Sequence, residues 1–385
     1  MAAIHLPRAM RIGGGVLAEL PDVLAQFGLS RPLILTDAWL AQSGVLERVE
    51  HLLAQAGIAA RSFTGVVPDP TVASVEAALA FLREGNHDCV IGLGGGSPID
   101  TAKIVAVKAL RDAPVSAFKA PHQEDAPALP IVAVPTTAGT GSEATRFTVI
   151  TDEATDEKML CAGLAYLPTI AVIDYELTLT KPARLTADTG IDSLVHAIEA
   201  YVSKRANPFA DQAALTAMRL IWPNLAVACA DPGNRAAREA LMLGALHGGI
   251  AFSNSSVALV HGMSRPIGAH FHVSHGLSNA MLMPVVTAWS ARAALPRYAA
   301  CARTMGVAGD AESDQSAVGR LVEALHQINA DLSVPSPKAY GIDKARWDDL
   351  LPLMAEQALA SGSPGNNPRV PEAKEIVGLY RAAWG

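Results

Sequence analysis

Five of the chain's 11 histidines, His247, His261, His270, His272 and His275, crowd into residues 245–275. Upstream, TGIDSLVHAIEAY carries Asp192 and His196 four positions apart. On a helix that spacing sets a carboxylate and an imidazole on one face, within reach of one ion. Ile191, Leu194, Val195 and Ile198 form an apolar stripe beside them. A polar pair next to a core stripe is costly unless something satisfies it. A lone histidine is more often a satisfied core or surface imidazole. Several of them together with a carboxylate suit Fe2+ or Zn2+, and spacing does not choose between the two metals.

A second constellation lies earlier. Residues 91–103 read IGLGGGSPIDTAK: an apolar run, Gly94, Gly95 and Gly96, then Ser97 as a helix cap and a helix carrying Asp100. Glycines let backbone approach an anion, and the free N–H groups and dipole of the next helix favour a phosphate. The usual dinucleotide fingerprint has its ribose-binding acid about 20 residues downstream. Here the candidate acid is Asp37, upstream, after the first apolar run. It would accept from a ribose 2′-OH and repel a 2′-phosphate, favouring NAD over NADP; the plainer role is a helix N-cap. PTTAGTGSE (135–143), with Thr136, Thr137 and Ser142, suits ribose, adenine or pyrophosphate, and Gly13 to Gly15 read as a turn.

Elements that would position these residues follow from periodicity. Residues 32–35 are a short apolar run, followed by helical spacing to Leu53. Strands at 60–67, 89–93 and 130–134 alternate with helices at 71–82 and 97–110. That rhythm predicts a parallel sheet with helices on both faces. Residues 147–151 and 158–161 are expected to pair as a hairpin, and 169–173 to form the closing strand. Beyond Lys181 and Pro182 the long amphipathic stretches 187–203, 208–228, 234–251, 276–290, 315–331, 344–360 and 371–383 predict helices only. The expected fold is an α/β N-terminal Rossmann-like nucleotide-binding domain, residues 1–180, and an all-α C-terminal metal-binding domain, residues 181–385.

Composition narrows the function classes. The chain has 385 residues, 50% of them hydrophobic, enough for a sizeable core. A net charge of −7 without a basic stripe argues against nucleic acid as partner. No uninterrupted apolar run of about 18 residues appears, so no membrane span is expected. The first residues, MAAIHLPRAM, lack the apolar stretch of a signal peptide. Cys89, Cys161, Cys229 and Cys301 are widely spaced, which predicts free thiols in a reducing compartment. The expectation is a cytoplasmic enzyme.

Taken together, the motifs resemble the iron-containing (group III) alcohol dehydrogenases, relatives of the dehydroquinate synthase fold, over nearly the whole chain. GGGSPIDTAK is similar to that family's GGGSxxDxAK, PTTAGTGSE to its second nucleotide loop, and TGIDSLVHAIEAYVS to its first metal helix. VHGMSRPIGAHFHVSHGLSNAMLMP resembles the region of the two remaining ligands. The resemblance implies Asp192, His196, His261 and His275 as metal ligands, with His270 and His272 outside the set. It places Asp37, Gly94, Gly95, Gly96, Ser97, Thr136, Thr137 and Lys158 around NAD, and Leu179 near the adenosine. Asp100 and Ser142 of the same loops count among the cofactor contacts. Phe252 and Asn254 would lie beside the substrate, where Phe147 and Ser363 also vary. The implied reaction is NAD-dependent interconversion of an alcohol and its aldehyde, with a small-molecule substrate and a homo-oligomer of at least two chains.

One position departs from the family. Many members carry a second histidine four residues after the first late ligand; here Arg265 stands there. A guanidinium is no ordinary base, which leaves proton exit to His270, His272, or the ribose and water. It does bind carboxylates bidentately, so a semialdehyde-type substrate is an expectation, set against a plain helix-end salt bridge. A zinc-dependent polyol dehydrogenase of the glycerol type would use fewer protein ligands. Dehydroquinate synthase would need several basic residues, and a maleylacetate-reductase-like enzyme would discard the metal. A non-catalytic NAD-binding metalloprotein would bind cofactor without hydride transfer.

Overall fold

The computed structural model of the chain describes residues 2–385. Backbone contacts divide it into two compact units, His5–Thr180 and Lys181–Gly385, the latter also taking in the residues up to Ile4.

The first unit is built on β1 (Ala9–Ile12), β2 (Pro32–Asp37), β3 (Arg61–Val66), β4 (Cys89–Gly94), β5 (Ile131–Pro135), β6 (Phe147–Asp152), β7 (Glu157–Ala162) and β8 (Ile170–Ile173). Six of these form one sheet in the order β1-β8-β5-β4-β2-β3, and all its pairings are parallel. Its central strands are nearly all apolar because both faces are covered. Along β2, Leu33 and Leu35 face one core with Val90 and Ile131, while Ile34 faces the other with Ile91 and Val132. Helices α1 (Leu20–Gln26), α2 (Ala38–Gln42) and α3 (Val45–Gln55) cover the Ile34 face. Helices α4 (Val72–Arg83) and α5 (Gly96–Lys108) cover the Leu33 face. The remaining strands, β6 and β7, pair antiparallel as the expected hairpin. Strand β1 is absent from the sequence reading. It is four residues long, carries Arg11 and pairs with β8 at the sheet edge, so it shows no apolar run.

The second unit is helical: α6 (Ala183–Val202), α7 (Pro208–Ala230), α8 (Arg235–Ser253), α9 (Leu259–Phe271), α10 (His275–Ser290), α11 (Leu295–Thr304), α12 (Asp314–Asp331), α13 (Pro337–Tyr340), α14 (Lys344–Ala360) and α15 (Ala373–Ala382). Helix α7 is long and apolar enough to cross a membrane by length and composition. It carries an exposed Arg219, however, and packs against α6 and α8. Helices α9, α11 and the short α13 have no counterpart in the predicted set. Gly262, Pro266 and Gly268 break the propensity of α9, and Pro266 removes a donor. Tertiary packing makes α9 a helix nonetheless. Tyr380 on α15 donates its hydroxyl to the Met263 carbonyl at 2.6 Å. Trp347 on α14, fully buried, packs its ring 5.5 Å from Phe271 and 5.7 Å from Tyr380.

Candidate metal centre and nucleotide loops

In the first unit the topology puts two loops at one edge. β2 has β3 on one side and β4 on the other, so the winding reverses between β2 and β4. Ligands of open α/β sheets bind outside the carboxyl ends of strands at such a point. Asp37 ends β2 and Gly94 ends β4. PTTAGTGSE follows from the end of β5, beside β4, and Thr136 donates its N–H to the Gly94 carbonyl at 2.8 Å. The loops also touch through Gly95 and Gly96. A Cβ at Gly95 would lie 3.3 Å from Thr137 Oγ1, and one at Gly96 would lie 2.8 Å from Thr140 Cγ2.

Helix α5 starts one residue earlier than expected. Gly95, not Ser97, is its N-cap, and no side chain caps it. Its first-turn N–H groups are therefore left without a side-chain acceptor, the arrangement an anion can use. Gly94 has φ +151°, and a Cβ there would sit 2.5 Å from Pro98 Cγ, in the first turn of α5. Gly94→Ala is expected to displace that turn and weaken NAD(H) binding at least tenfold, read by NADH fluorescence titration. An unchanged dissociation constant would count against the cradle.

The other loop residues divide by what they already hold. Asp37 caps α2 by accepting from Leu40 N at 2.8 Å through Oδ1. Among the described residues its Oδ2 has no partner, so capping and ribose binding are compatible. Asp100 is differently placed: it accepts from Ser142 Oγ at 2.6 Å and from Val149 N at 2.9 Å. This pair clasps the second loop to α5 instead of offering open polar atoms. Lys103, fully buried, completes the clasp by donating to Thr145 O, Thr145 Oγ1 and Phe147 O at 3.0, 2.9 and 2.8 Å. Burial pulls its pKa down to about 8 against the opposing attraction of Asp100 and Glu143. Lys158 is paired with Asp69 at 3.0 Å. Leu179 is half-buried and caps a short turn.

In the second unit three helices bring four side chains to one point. Asp192 and His196 come from α6, His261 from the first turn of α9, and His275 opens α10. Their ligand atoms all lie within 4.8 Å of one another. Asp192 Oδ1 is 3.9 Å from His196 Nε2, 3.5 Å from His261 Nε2 and 3.7 Å from His275 Nε2. Those separations are too long for hydrogen bonds. Atoms about 2.1 Å from a shared ion at tetrahedral angles lie about 3.4 Å apart, so the donor set fits a metal. Burial disfavours the Asp192 charge, but the imidazoles of His196, His275 and His261 outweigh it and hold the carboxyl well below its ordinary range. Close approach of α10 to α6 places His275: a Cβ at Gly276 would lie 2.3 Å from the Asp188 carbonyl oxygen.

Two further residues complete the site, and neither was singled out in the sequence. Glu199, buried one turn after His196, accepts from Ala258 N at 2.8 Å, Val260 N at 2.6 Å and His261 Nδ1 at 2.7 Å. Because the carboxylate only accepts, His261 must carry its proton on Nδ1 and direct the Nε2 lone pair toward Asp192. Burial lowers the basicity of His261, and Asp192 and Glu199 more than restore it. Asn279, one turn after His275, donates from Nδ2 to Asp192 Oδ1 at 2.6 Å and lies 3.3 Å from both His261 Nε2 and His275 Nε2. The signal was present as spacing: 192, 196 and 199 share one helical face, as do 275 and 279.

The remaining candidates separate. Phe252 stacks on His196 with ring centroids 4.4 Å apart and holds that imidazole from one side. Asn254 donates its amide to the Ile250 carbonyl at 2.9 Å, at the end of α8. His270 is bonded to Gln357 on α14 at 2.8 Å. It stands nine residues from His261, about 13 Å of helix rise, and so serves the α9–α14 packing. His272 is exposed, with φ +55°, and caps α9. His247 does not join the four. Phe147 opens β6 and lends its carbonyl to Lys103, while Ser363 is buried in a short turn. Arg265, on α9 one turn past His261, is half-buried. Among the described residues its guanidinium makes no hydrogen bond or ion pair, so the alternative of a helix-end salt bridge is not met.

Comparison with known proteins covers nearly the whole chain. Residues 7–175 match the family described as iron-containing alcohol dehydrogenase, and residues 186–384 match the C-terminal part of the Fe-containing alcohol dehydrogenase family. The chain is 35% identical over 383 residues to the NAD-dependent methanol dehydrogenase of Bacillus methanolicus, covering 100% of each protein. It is 36% identical over 374 residues to the lactaldehyde reductase of Escherichia coli K12, covering 97% of each. A solved structure of a 1,3-propanediol oxidoreductase superposes with a TM-score of 0.95 at 34% identity, again over 100% of both chains.

Proposed function

The chain belongs to the family of iron-containing alcohol dehydrogenases, and we propose that it interconverts a primary alcohol and its aldehyde by hydride exchange with NAD. The convergence of Asp192 Oδ1 with the Nε2 atoms of His196, His261 and His275 carries this reading. These four side chains would hold Fe2+, or Zn2+ in its place, which would supply Lewis-acid polarisation of the substrate oxygen. The Gly94–Gly96 turn and Asp37 would hold NAD, which would supply the hydride acceptor. Asp37 would repel a 2′-phosphate, which favours NAD over NADP.

The protein's own groups prepare the site. Asp192 contributes the single carboxylate among the four converging donors. Glu199 fixes the His261 tautomer and Phe252 fixes the His196 ring plane. Buried apolar neighbours on α6, among them Ile191, Leu194 and Val195, keep water from the ligand side chains. Ligation by imidazole competes with protonation, so metal affinity falls as the pH drops below the ordinary histidine range.

The test follows NADH absorbance with a panel of primary alcohols and aldehydes, before and after chelation. We expect turnover that chelation removes and added Fe2+ or Zn2+ restores. A metal-loaded protein that turns over no member would overturn the reading. Four free thiols, three of them buried, suit a cytoplasmic enzyme, and a homodimer or larger assembly is the expected state, measured by light scattering.

A further inference from the structure

A half-buried guanidinium without a partner is the least explained charge near the metal centre. Arg265 lies four residues after His261 on α9, so their Cβ atoms are about 6 Å apart on one face. Burial pulls its pKa down to about 10, with Glu199 pulling the other way, so it remains a cation at neutral pH. Glu199 offsets part of its charge but makes no bond to it. Both Glu199 oxygens already accept, from Ala258 N, Val260 N and His261 Nδ1. Asp192 faces the three imidazoles and Asn279. The nearby acids are therefore spent on positioning, while a planar fork of N–H donors is left unused. Desolvating a cation without an anion is costly. A structural role would have given it a bond to hold.

We propose that Arg265 is a specificity residue that binds the anionic end of the substrate, so that the preferred substrates are short aldehydes with a carboxylate a few carbons from the carbonyl. The inference rests on the dehydrogenase reading above, because it presumes that the carbonyl is held beside His261. Because the two side chains leave one face of α9 a single turn apart, one short substrate can reach both the metal ligands and the guanidinium. A guanidinium grips both carboxylate oxygens at once, which an ammonium cannot do.

Two measurements test the proposal separately from the reaction. In the first, kcat/KM for succinic and glutaric semialdehyde is compared with that for pentanal, in the wild type, Arg265→Ala and Arg265→Lys. The ratio of semialdehyde to pentanal should fall at least tenfold in Arg265→Ala and recover only in part in Arg265→Lys. In the second, binding of unreactive butanoate is followed by calorimetry in the metal-loaded protein. Wild type should bind it at least tenfold more tightly than Arg265→Ala. Should no aldehyde turn over, Arg265-dependent butanoate binding would still support the anion site while the dehydrogenase reading fell. An unchanged semialdehyde-to-pentanal ratio, or equal butanoate binding in the two proteins, overturns the proposal. So does a loss of NADH affinity that matches the activity loss on both aldehydes, which would assign the guanidinium to the cofactor.

Discussion

Asp192→Ala is expected to abolish metal retention and reduce turnover to background. The carboxylate is buried and is the one anionic donor among the four converging side chains. Structural zinc sites release about 10–16 kcal/mol on binding. Shared over four ligands, that is about 3 kcal/mol each, roughly a hundredfold or more in affinity. Removing the anionic ligand costs more than the mean, since three imidazoles alone leave the ion's charge uncompensated. Asp192→Asn, nearly isosteric, separates charge from shape and is expected to lose most of the affinity while folding normally. The readouts are metal content after desalting and competition with a chromogenic chelator. Full metal occupancy in Asp192→Ala after that competition would refute the ligand assignment.

The second large effect belongs to a residue that is not itself one of the four converging donors but bonds to one of them. Glu199→Gln replaces an acceptor oxygen with an amide that can donate, so His261 can no longer rely on an acceptor at Nδ1. A fraction of the ring then carries its proton on Nε2 and cannot ligate. Losing such an outer partner typically costs 10–100-fold in metal affinity, and that is the range expected here. Glu199→Ala goes further: it strands the N–H groups of Ala258 and Val260 as well as His261 Nδ1–H. Each buried unsatisfied donor costs about 1–3 kcal/mol, so its melting temperature without metal should fall clearly below that of Glu199→Gln. Wild-type metal affinity in Glu199→Gln would remove the tautomer argument. Equal melting temperatures for the two variants would remove the account of the stranded donors.

Much of the site was legible because it is local. Asp192 and His196 are related by helix geometry, and the Gly94–Gly96 turn by the passage from apolar strand to helix. The resemblance to iron-containing alcohol dehydrogenases named Asp192, His196, His261 and His275, and these four side chains converge in the structure. Three expectations changed on contact with the structure. Ser97 is not the cap of α5, because a glycine-led turn leaves the first N–H groups open. Asp100 and Ser142 hold each other, since a buried carboxylate must find donors. His270 faces Gln357, because nine residues along a helix is too far to share a site with His261.

By itself the sequence determined the alternation of strand and helix, the chemistry of the glycine turn and the pairing of Asp192 with His196. All of these depend on residues within a turn or two of each other, where covalent geometry leaves few choices. Only the tertiary structure brought His261 and His275, from two further helices, to Asp192 and His196, and placed Glu199 where it orients His261. The bonds responsible span 62 residues from Glu199 to His261 and 87 from Asp192 to Asn279. The second exists because α10 packs closely on α6, the first because Trp347, Tyr380 and their neighbours pack a glycine- and proline-weakened segment into α9. No periodicity announces such a helix, since its stability comes from contacts made far along the chain.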